Sequence, residues 1–288
     1  MKDYIIRGTA ADGTVRAFAA VTTNMVREAR EVHNLSFVAS AALGRAMTAA
    51  AIISRLLDGT DDTITIQIKG DGPLGGIVTV SDADANVRGY VYNPQVEVPL
   101  NEEGKLNVSK AVGAGYLNII RDMGMKEPYI GYVDLLTGEI ADDIAYYYAY
   151  SEQIPSVVGL GVLVEKDGTI ANSGGFIIQL MPGASSELVD YIERKSLEVP
   201  NVTEMLSMGK TPEDILEFIL GEKGLKYADK TACKYSCNCS RDRMERNLIS
   251  LGKKEIQEII EQQGEAEVVC HFCNTKYIFT KDDLQKLF

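Results

Sequence analysis

The chain has 288 residues, 45% of them hydrophobic, which is enough for about two globular domains with a sizeable core. Its formal net charge is −12, and residues 233–288 hold nine basic and nine acidic residues, so the excess negative charge lies upstream. Binding to a phosphate backbone needs a basic patch, so this distribution disfavours a nucleic-acid partner.

The first third of the chain predicts paired strands followed by two helices. Period-two alternation at Tyr4–Arg7 and Val15–Phe18 predicts strands joined by a turn. A polar helix is predicted from Asn24 to His33, with His33 at the surface. Residues 35–57 are apolar enough to suggest a membrane segment, but the central Arg45 is costly in lipid and the many alanines suit packing on a sheet. We therefore expect a buried helix in a soluble, cytosolic protein with no membrane partner. No secretory signal is expected, because no long apolar stretch follows the N-terminal charges.

The segment Gly70–Gly75 matches the glycine spacing of a dinucleotide-binding loop, GxGxxG. Such a loop needs a strand before it and a helix after it, whereas here the alternating Thr63–Ile68 precedes and another strand pattern, Ile77–Val80, follows. The pattern therefore favours a hairpin turn. Further strand and helix patterns follow without a regular βαβ rhythm, which predicts an α+β fold. These patterns lie at Arg88–Val91, Tyr129–Val133, Asp142–Tyr150 (helical) and Val157–Val164.

The chain changes character after Met181, where Pro182-Gly183 breaks a strand. From Ser185 to about Leu220 it predicts short amphipathic helices, whose apolar faces must be covered by a neighbouring domain. We predict three parts: an N-terminal α+β domain at 1–182, a helical linker at 183–232 and a small C-terminal domain at 233–288.

All five cysteines lie in the last fifth of the chain, and four form the pairs Cys237/Cys239 and Cys270/Cys273. Four thiolates are a typical tetrahedral ligand set for one Zn²⁺ ion. In the same segment, Ser240 is expected to cap a helix and Thr280 another, but a domain of about 55 residues buries little apolar area. The sequence therefore predicts that bound zinc stabilises this domain, either as a purely structural ribbon or as a thiolate cluster that also responds to oxidants.

Two side chains near the predicted site have less definite roles. Cys233 could be a spare ligand, a resolving thiol or an inert side chain, and four other thiolates favour the inert or auxiliary role. His271 could replace a thiolate, but four cysteines already complete the shell. Neither His33 nor His271 has a visible partner motif for nucleophilic catalysis, so no catalytic residue is assigned and an enzyme is not expected.

The cysteine segment and several upstream blocks resemble the 33 kDa chaperonin family of bacteria, redox-regulated heat-shock proteins that hold unfolded clients. The similarity covers almost the whole chain and its blocks occur in matching order. The C-terminal blocks are Cys237–Ser240, Arg241–Arg246 and Cys270–Cys273, and the upstream ones are Ala42–Arg45, Gly70–Pro73, Arg88–Tyr90, Ser151–Pro155, Gly174–Phe176 and Gln179–Ala184.

This resemblance implies a mechanism. In the reduced, inactive state the four cysteines of the two pairs hold one zinc ion. Oxidation forms Cys237–Cys239 and Cys270–Cys273 disulfides, with loss of the metal. The C-terminal domain then unfolds, the linker helices lose their dock, and the oxidised protein dimerises. It binds unfolded clients without ATP until foldase chaperones take over.

Two alternatives come from the residues alone. One is a constitutive zinc-ribbon module that docks on protein or nucleic acid and keeps its metal under oxidants. The other is an enzyme in the N-terminal domain with the zinc domain as a structural appendix, whose turnover would survive deletion of residues 233–288.

Overall fold

The structure, a computed structural model, describes residues 2–287 and divides into two compact units, Met1–Tyr235 and Ser236–Phe288. Helices and strands are interspersed, which confirms the predicted α+β class. The first unit contains β1 (Tyr4–Ala10), β2 (Val15–Val21), α1 (Thr23–His33), α2 (Phe37–Ser54), β3 (Thr63–Gly70), β4 (Ile77–Asp82), β5 (Asn86–Val91), α3 (Val108–Val112), β6 (Gly115–Asp122), β7 (Tyr129–Asp134), α4 (Ala141–Tyr150), β8 (Ser156–Val164), β9 (Ile170–Leu180), α5 (Ser186–Glu198), α6 (Val202–Ser207), α7 (Pro212–Leu220), β10 (Lys226–Ala232) and β11 (Lys234–Tyr235). The second contains α8 (Arg241–Leu251), α9 (Lys253–Gln262), β12 (Glu265–Val269), β13 (Lys276–Thr280) and α10 (Lys281–Gln285).

The first unit is built on two sheets. One has the strand order β10-β1-β2-β9-β8 and is antiparallel throughout. The other has the order β11-β5-β4-β3-β6-β7, in which only the short β11 runs parallel to its neighbour. The predicted hairpin turn is confirmed, because β3 ends at Gly70 and β4 begins at Ile77. Gly70 has a structural reason to lack a side chain, since a Cβ there would lie 1.9 Å from the carbonyl oxygen of Val112.

Helix α2 is the centre of the first unit. It contacts β3, β4 and β5 of one sheet and β2, β8 and β9 of the other, so apolar residues are needed all round it rather than on one stripe. Its N-terminus is capped by the hydroxyl of Ser36, which accepts a hydrogen bond from the amide of Ala39. Among the described residues α2 is the one helix long and apolar enough to cross a membrane, but 89% of it is buried inside the protein. The predicted buried helix is therefore confirmed.

The position of His33 differs from the prediction. It ends α1, and it is 9% exposed rather than lying on the surface. Its Nε2 lies 3.3 Å from the hydroxyl of Tyr235, which lies in β11, some 200 residues further along the chain. The sequence could not reveal this partner, because the contact depends on β11 pairing with β5.

The segment predicted as a linker packs into the first unit. Helices α5, α6 and α7 cover the face of the first sheet opposite α2, through one buried cluster. The helices predicted from Ser185 to about Leu220 are present as α5–α7, but the end of the segment 183–232 is strand β10, which pairs with β1. The division between units falls after Tyr235, so residues 233–235 also belong to the first unit. The cluster's helical members are Leu188, Tyr191, Ile192, Val202, Met205, Leu206, Ile215, Leu216, Ile219 and Leu220.

The second unit combines a helical pair, α8 and α9, with the β12–β13 hairpin and α10. Ser240 and Thr280 cap α8 and α10 as predicted, accepting hydrogen bonds from the amides of Arg243 and Asp283. Its core is small. The buried hydrophobic residues described in this unit are Met244, Leu248, Ile256, Ile260, Ala266, Cys270, Phe279 and Leu284.

Candidate metal centre

The structure brings together the four cysteines that the sequence singled out. The Sγ atoms of Cys237, Cys239, Cys270 and Cys273 all lie within 4.8 Å of one another. The Cys237 and Cys270 sulfurs are 3.7 Å apart, and those of Cys239 and Cys273 are 3.3 Å apart. All four are free thiols. Since each close sulfur pair joins one member of the first motif to one of the second, the cluster cross-links the two ends of the unit.

The first pair is held by the start of α8. Cys237 and Cys239 lie in the irregular segment between β11 and α8, and Ser240 is the N-cap of the helix. Arg243, in the first turn, donates to the side-chain oxygen of Asn238 at 2.7 Å. This bond fixes the residue between the two cysteines, so the two sulfurs can point to the same side.

The second pair lies in the turn between β12 and β13. The amide of Cys270 donates to the carbonyl oxygen of Thr275 at 2.9 Å, which closes the turn. The amide of Asn274 donates to the carbonyl oxygen of Cys270 at 2.8 Å, and Asn274 adopts a left-handed conformation with φ of 55°. Asparagine tolerates this conformation better than most residues. The turn thereby folds Cys273 back beside Cys270.

Two hydroxyl groups next to the sulfurs escaped the sequence analysis. Tyr277 donates to the sulfur of Cys239 at 3.0 Å, and the hydroxyl of Thr275 lies 3.2 Å from the sulfur of Cys273. Tyr277 lies in β13 and Thr275 immediately precedes it, and alternate residues along a strand point to the same face. The spacing 273, 275, 277 was the available signal, since a strand leaving the second cysteine pair must turn one set of alternating side chains towards it.

The protonation of the sulfurs is uneven. Burial raises the pKa of the Cys237 and Cys270 thiols. Burial also opposes ionisation of Cys273, but hydrogen bonds from the side chain and backbone of Thr275 outweigh it and lower the pKa of Cys273 to about 7. The hydrogen bond to Cys239 raises the pKa of Tyr277 to about 12, so its hydroxyl remains a donor. A cation at the centre of the cluster is therefore needed to keep all four sulfurs ionised as thiolates.

The geometry fits a metal ion. A tetrahedral site with metal–sulfur bonds of about 2.3 Å has sulfur–sulfur edges of about 3.8 Å, close to the distances found here. An all-sulfur tetrahedral set is typical of zinc or iron–sulfur sites. The four cysteines could thus hold a metal ion, with Tyr277 and Thr275 as hydrogen-bond donors to the ligands.

The fifth cysteine lies elsewhere. Cys233 belongs to the first unit, buried in its core between β10 and β11, and its thiol lies 3.7 Å from the carbonyl oxygen of Val21. Burial, with a smaller contribution from Asp3, raises the pKa of Cys233 to about 12. A buried, protonated thiol is a poor nucleophile and a poor ligand, which supports the inert role. His271 is exposed in the turn, outside the group of four sulfurs.

Comparison with known proteins gives one consistent result. The family model described as Hsp33 protein matches residues 3–280. The proteins named 33 kDa chaperonin of Acetivibrio thermocellus and Ruminiclostridium cellulolyticum are 56% and 57% identical to the chain over 287 residues. These matches cover 100% of this chain and 97% and 98% of the relatives.

The fold has a close counterpart among solved structures. The crystal structure of the 33 kDa chaperonin (heat shock protein 33 homolog) from Thermotoga maritima superposes with a TM-score of 0.91 at 40% sequence identity. The match covers 100% of this chain and 98% of that one. Sequence and fold therefore agree over the full length of the chain.

Proposed function

The chain belongs to the Hsp33 protein family, whose relatives are named chaperonins, and from this premise we propose that it is a redox-regulated holdase that works without ATP. One observation carries the proposal: four free thiols converge within 4.8 Å in a unit with a very small core. Such a unit can be folded or unfolded by chemistry at its sulfurs alone. The protein is proposed to act in the cytosol, where thiols are kept reduced.

In the reduced state the four cysteines hold one Zn²⁺ ion, and the chaperone is inactive. The ion supplies the positive charge that keeps four neighbouring sulfurs ionised. The protein residues do the rest: the turn at Cys270–Cys273 and the segment before α8 present the sulfurs, and Tyr277 donates to Cys239. Because the ligands come from both ends of the unit, metal binding closes its chain into a loop.

Oxidation removes the ligands. Two molecules of hydrogen peroxide take up four electrons from four thiolates, four protons are consumed, and the products are two disulfides and four water molecules. The disulfides join Cys237 to Cys239 and Cys270 to Cys273. Each disulfide lies within one motif, so the link between the two motifs is lost together with the metal. A unit with eight described buried hydrophobic residues cannot stay folded without that link.

Unfolding of this unit then frees the segment before it. Cys237 comes two residues after β11, which together with β10 closes one edge of each sheet of the first unit. Upstream of β10, helices α5–α7 cover an apolar sheet face. Loss of order in the segment 183–235 exposes that face to unfolded clients. The oxidised protein dimerises and passes its clients to foldase chaperones.

The test follows the metal and the activity together. Peroxide is added at mildly elevated temperature while a colorimetric chelator reports zinc, and light scattering reports aggregation of a thermally unfolding client protein. We expect about one zinc per chain to leave as suppression of scattering appears. The variant Cys233→Ser keeps all four ligands and should behave like the wild type. Zinc that stays, or leaves without any gain in suppression, would reduce the cluster to a structural staple and favour a constitutive zinc ribbon.

A further inference from the structure

Strand β8 is an unprotected edge of the first sheet. It pairs with β9 alone, and within residues 2–287 no backbone hydrogen bond joins it to any other element. Its sequence, Ser156–Val164, contains no charged residue. The opposite edge, β10, carries two lysines and an aspartate, the usual protection against pairing with other chains. The contrast marks β8 as the edge at which a further strand can be added.

A groove runs along this edge. A cavity of about 550 Å³ is lined by residues 160–166, by Phe37 and Ala41 of α2, by residues 201–203 at the start of α6, and by the loop residues 100 and 104–106. Helices α2 and α6 lie on opposite faces of the sheet, because Ile177 of β9 packs in the cluster with α2 and its neighbours Phe176 and Ile178 in the cluster with α6. A cavity lined by both helices must therefore wrap around the free edge of β8.

The groove has the size and chemistry of a site for an extended apolar peptide. Its volume lies within the range of about 300–1,000 Å³ for ligand pockets. Five residues of β8 span about 16 Å, so four or five residues of a second strand fit beside it. Phe37 and Leu100 expose 40% and 57% of their surfaces at the rim. Among the charged side chains lining it, Arg45 and Lys105 pair with acidic residues of the fold. The other two, Glu165 and Lys166, are adjacent and of opposite charge, so apolar character rather than charge decides what binds.

We propose that an unfolded client adds an extended apolar segment of four or five residues to the free edge of β8. This rests on the proposed holdase function and gives it a mode of recognition. The main-chain hydrogen bonds of an added strand are independent of sequence, so one edge can hold many clients, while the groove selects for apolar side chains. A folded partner would have to bring the loops that flank its own edge strand past α2 and the loop residues 104–106, which line the groove and lie outside the segment 183–235.

The linker controls access to this site. Gly161 of β8 lies directly under α6: a Cβ at Gly161 would come within 2.8 Å of the Cγ2 atom of Thr203. The start of α6 thus forms one wall of the groove and restricts its width. When the segment 183–235 loses order, that wall is removed and the edge becomes open along β8. Client binding at β8 is accordingly stronger in the oxidised protein than in the reduced one.

The experiment uses the oxidised full-length chain and a labelled soluble peptide with the core Val-Leu-Val-Ile between Gly-Ser flanks. Hydrogen exchange followed by mass spectrometry should show protection of residues 156–164 when the peptide binds, with little dependence on salt. The same peptide with alternate amides N-methylated keeps its side chains but loses its strand hydrogen bonds, and should bind about tenfold more weakly.

A pair of variants locates the site. Leu163, 36% exposed in the groove, is replaced in Leu163→Lys, which should weaken peptide binding about tenfold. The control Leu136→Lys makes the same change at a leucine that is 62% exposed and outside the groove, and should bind normally. The β8 site is overturned if hydrogen exchange at residues 156–164 is unchanged by bound peptide, or if both variants bind the peptide equally. In either case, suppression of aggregation by the wild type would still uphold the holdase function. Protection that rises with protein concentration without peptide would assign the edge to a second copy and also overturn the proposal. Suppression of aggregation without peptide binding by the oxidised wild type would overturn only the β8 site, whereas failure to suppress aggregation would refute the holdase itself.

Discussion

Removing the metal from the reduced protein should unfold the C-terminal unit and leave the core of the first unit around α2 folded. The perturbation is a zinc chelator added under a reductant without oxygen, so that no disulfide forms. The cluster around α2 keeps its 40 described buried hydrophobic residues, whereas the second unit has eight. The smaller unit cannot make up for the loss of the metal, because its four sulfurs are the groups that join its two ends.

The expected change in the free energy of unfolding follows from the sizes of these cores. A structural zinc site contributes about 10–16 kcal/mol of apparent folding free energy. The whole stability of an ordinary domain is about 5–15 kcal/mol, and a core of eight residues lies at the low end of that range or below it. Subtracting the metal's contribution therefore makes the free energy of unfolding negative, and the metal-free unit should be almost entirely unfolded rather than loosened.

Hydrogen exchange measured by region tests this expectation. The amides of α8 and α9, helices of 11 and 10 residues, should exchange at the rates of an unfolded chain after chelation, while those of α2 keep their protection. Addition of zinc should restore protection, and Cys233→Ser should behave as the wild type throughout. Persistent protection of α8 and α9 in the metal-free protein would refute the reasoning, because the small core would then suffice and metal loss could not drive the proposed switch.

Three further outcomes are expected. Tyr277→Phe removes the hydroxyl donor to the sulfur of Cys239, so zinc affinity in a chelator competition should fall about tenfold. This is the low end for such outer partners, because Tyr277 is partly exposed. Ile278→Val, at an exposed neighbour in the same strand, should leave zinc affinity unchanged. Cys233 has a folded-state pKa of about 12 against the usual 9, so the unfolded chain releases its proton first and the stability of the first unit should fall as pH rises from 9 to 12. Denaturant titrations should show a shallower fall for Cys233→Ala, and an identical pH slope would contradict this. Leu206→Ala removes a buried side chain of α6 and should destabilise the packing of the linker helices by about 2–4 kcal/mol, so that scattering assays detect partial holdase activity without oxidant. Full inactivity despite the measured destabilisation would mean that the linker does not control access.

The local features of this protein were predictable from its sequence. The cluster of four cysteines, the caps at Ser240 and Thr280, the hairpin after Gly70 and the buried α2 depend on short-range patterns: cysteine spacing, side-chain hydrogen bonds to the next turn, and glycine conformation. Such patterns act over a few residues, so they hold wherever the segment lies in the fold.

Long-range contacts decided the rest. His33 is buried because β11 brings Tyr235 to it across some 200 residues, and the segment 226–232 is a strand because β1 offers it an edge. Cys233 is buried because those two pairings enclose it, although its spacing from Cys237 makes it resemble a ligand. Strand pairing satisfies backbone hydrogen-bonding groups whatever the local strand propensity of the segment. The strand with which a segment pairs is set by which sheet edge remains open once the core has formed. Which strands pair is therefore determined by the assembled sheets, and the free edge of β8 is determined in the same way.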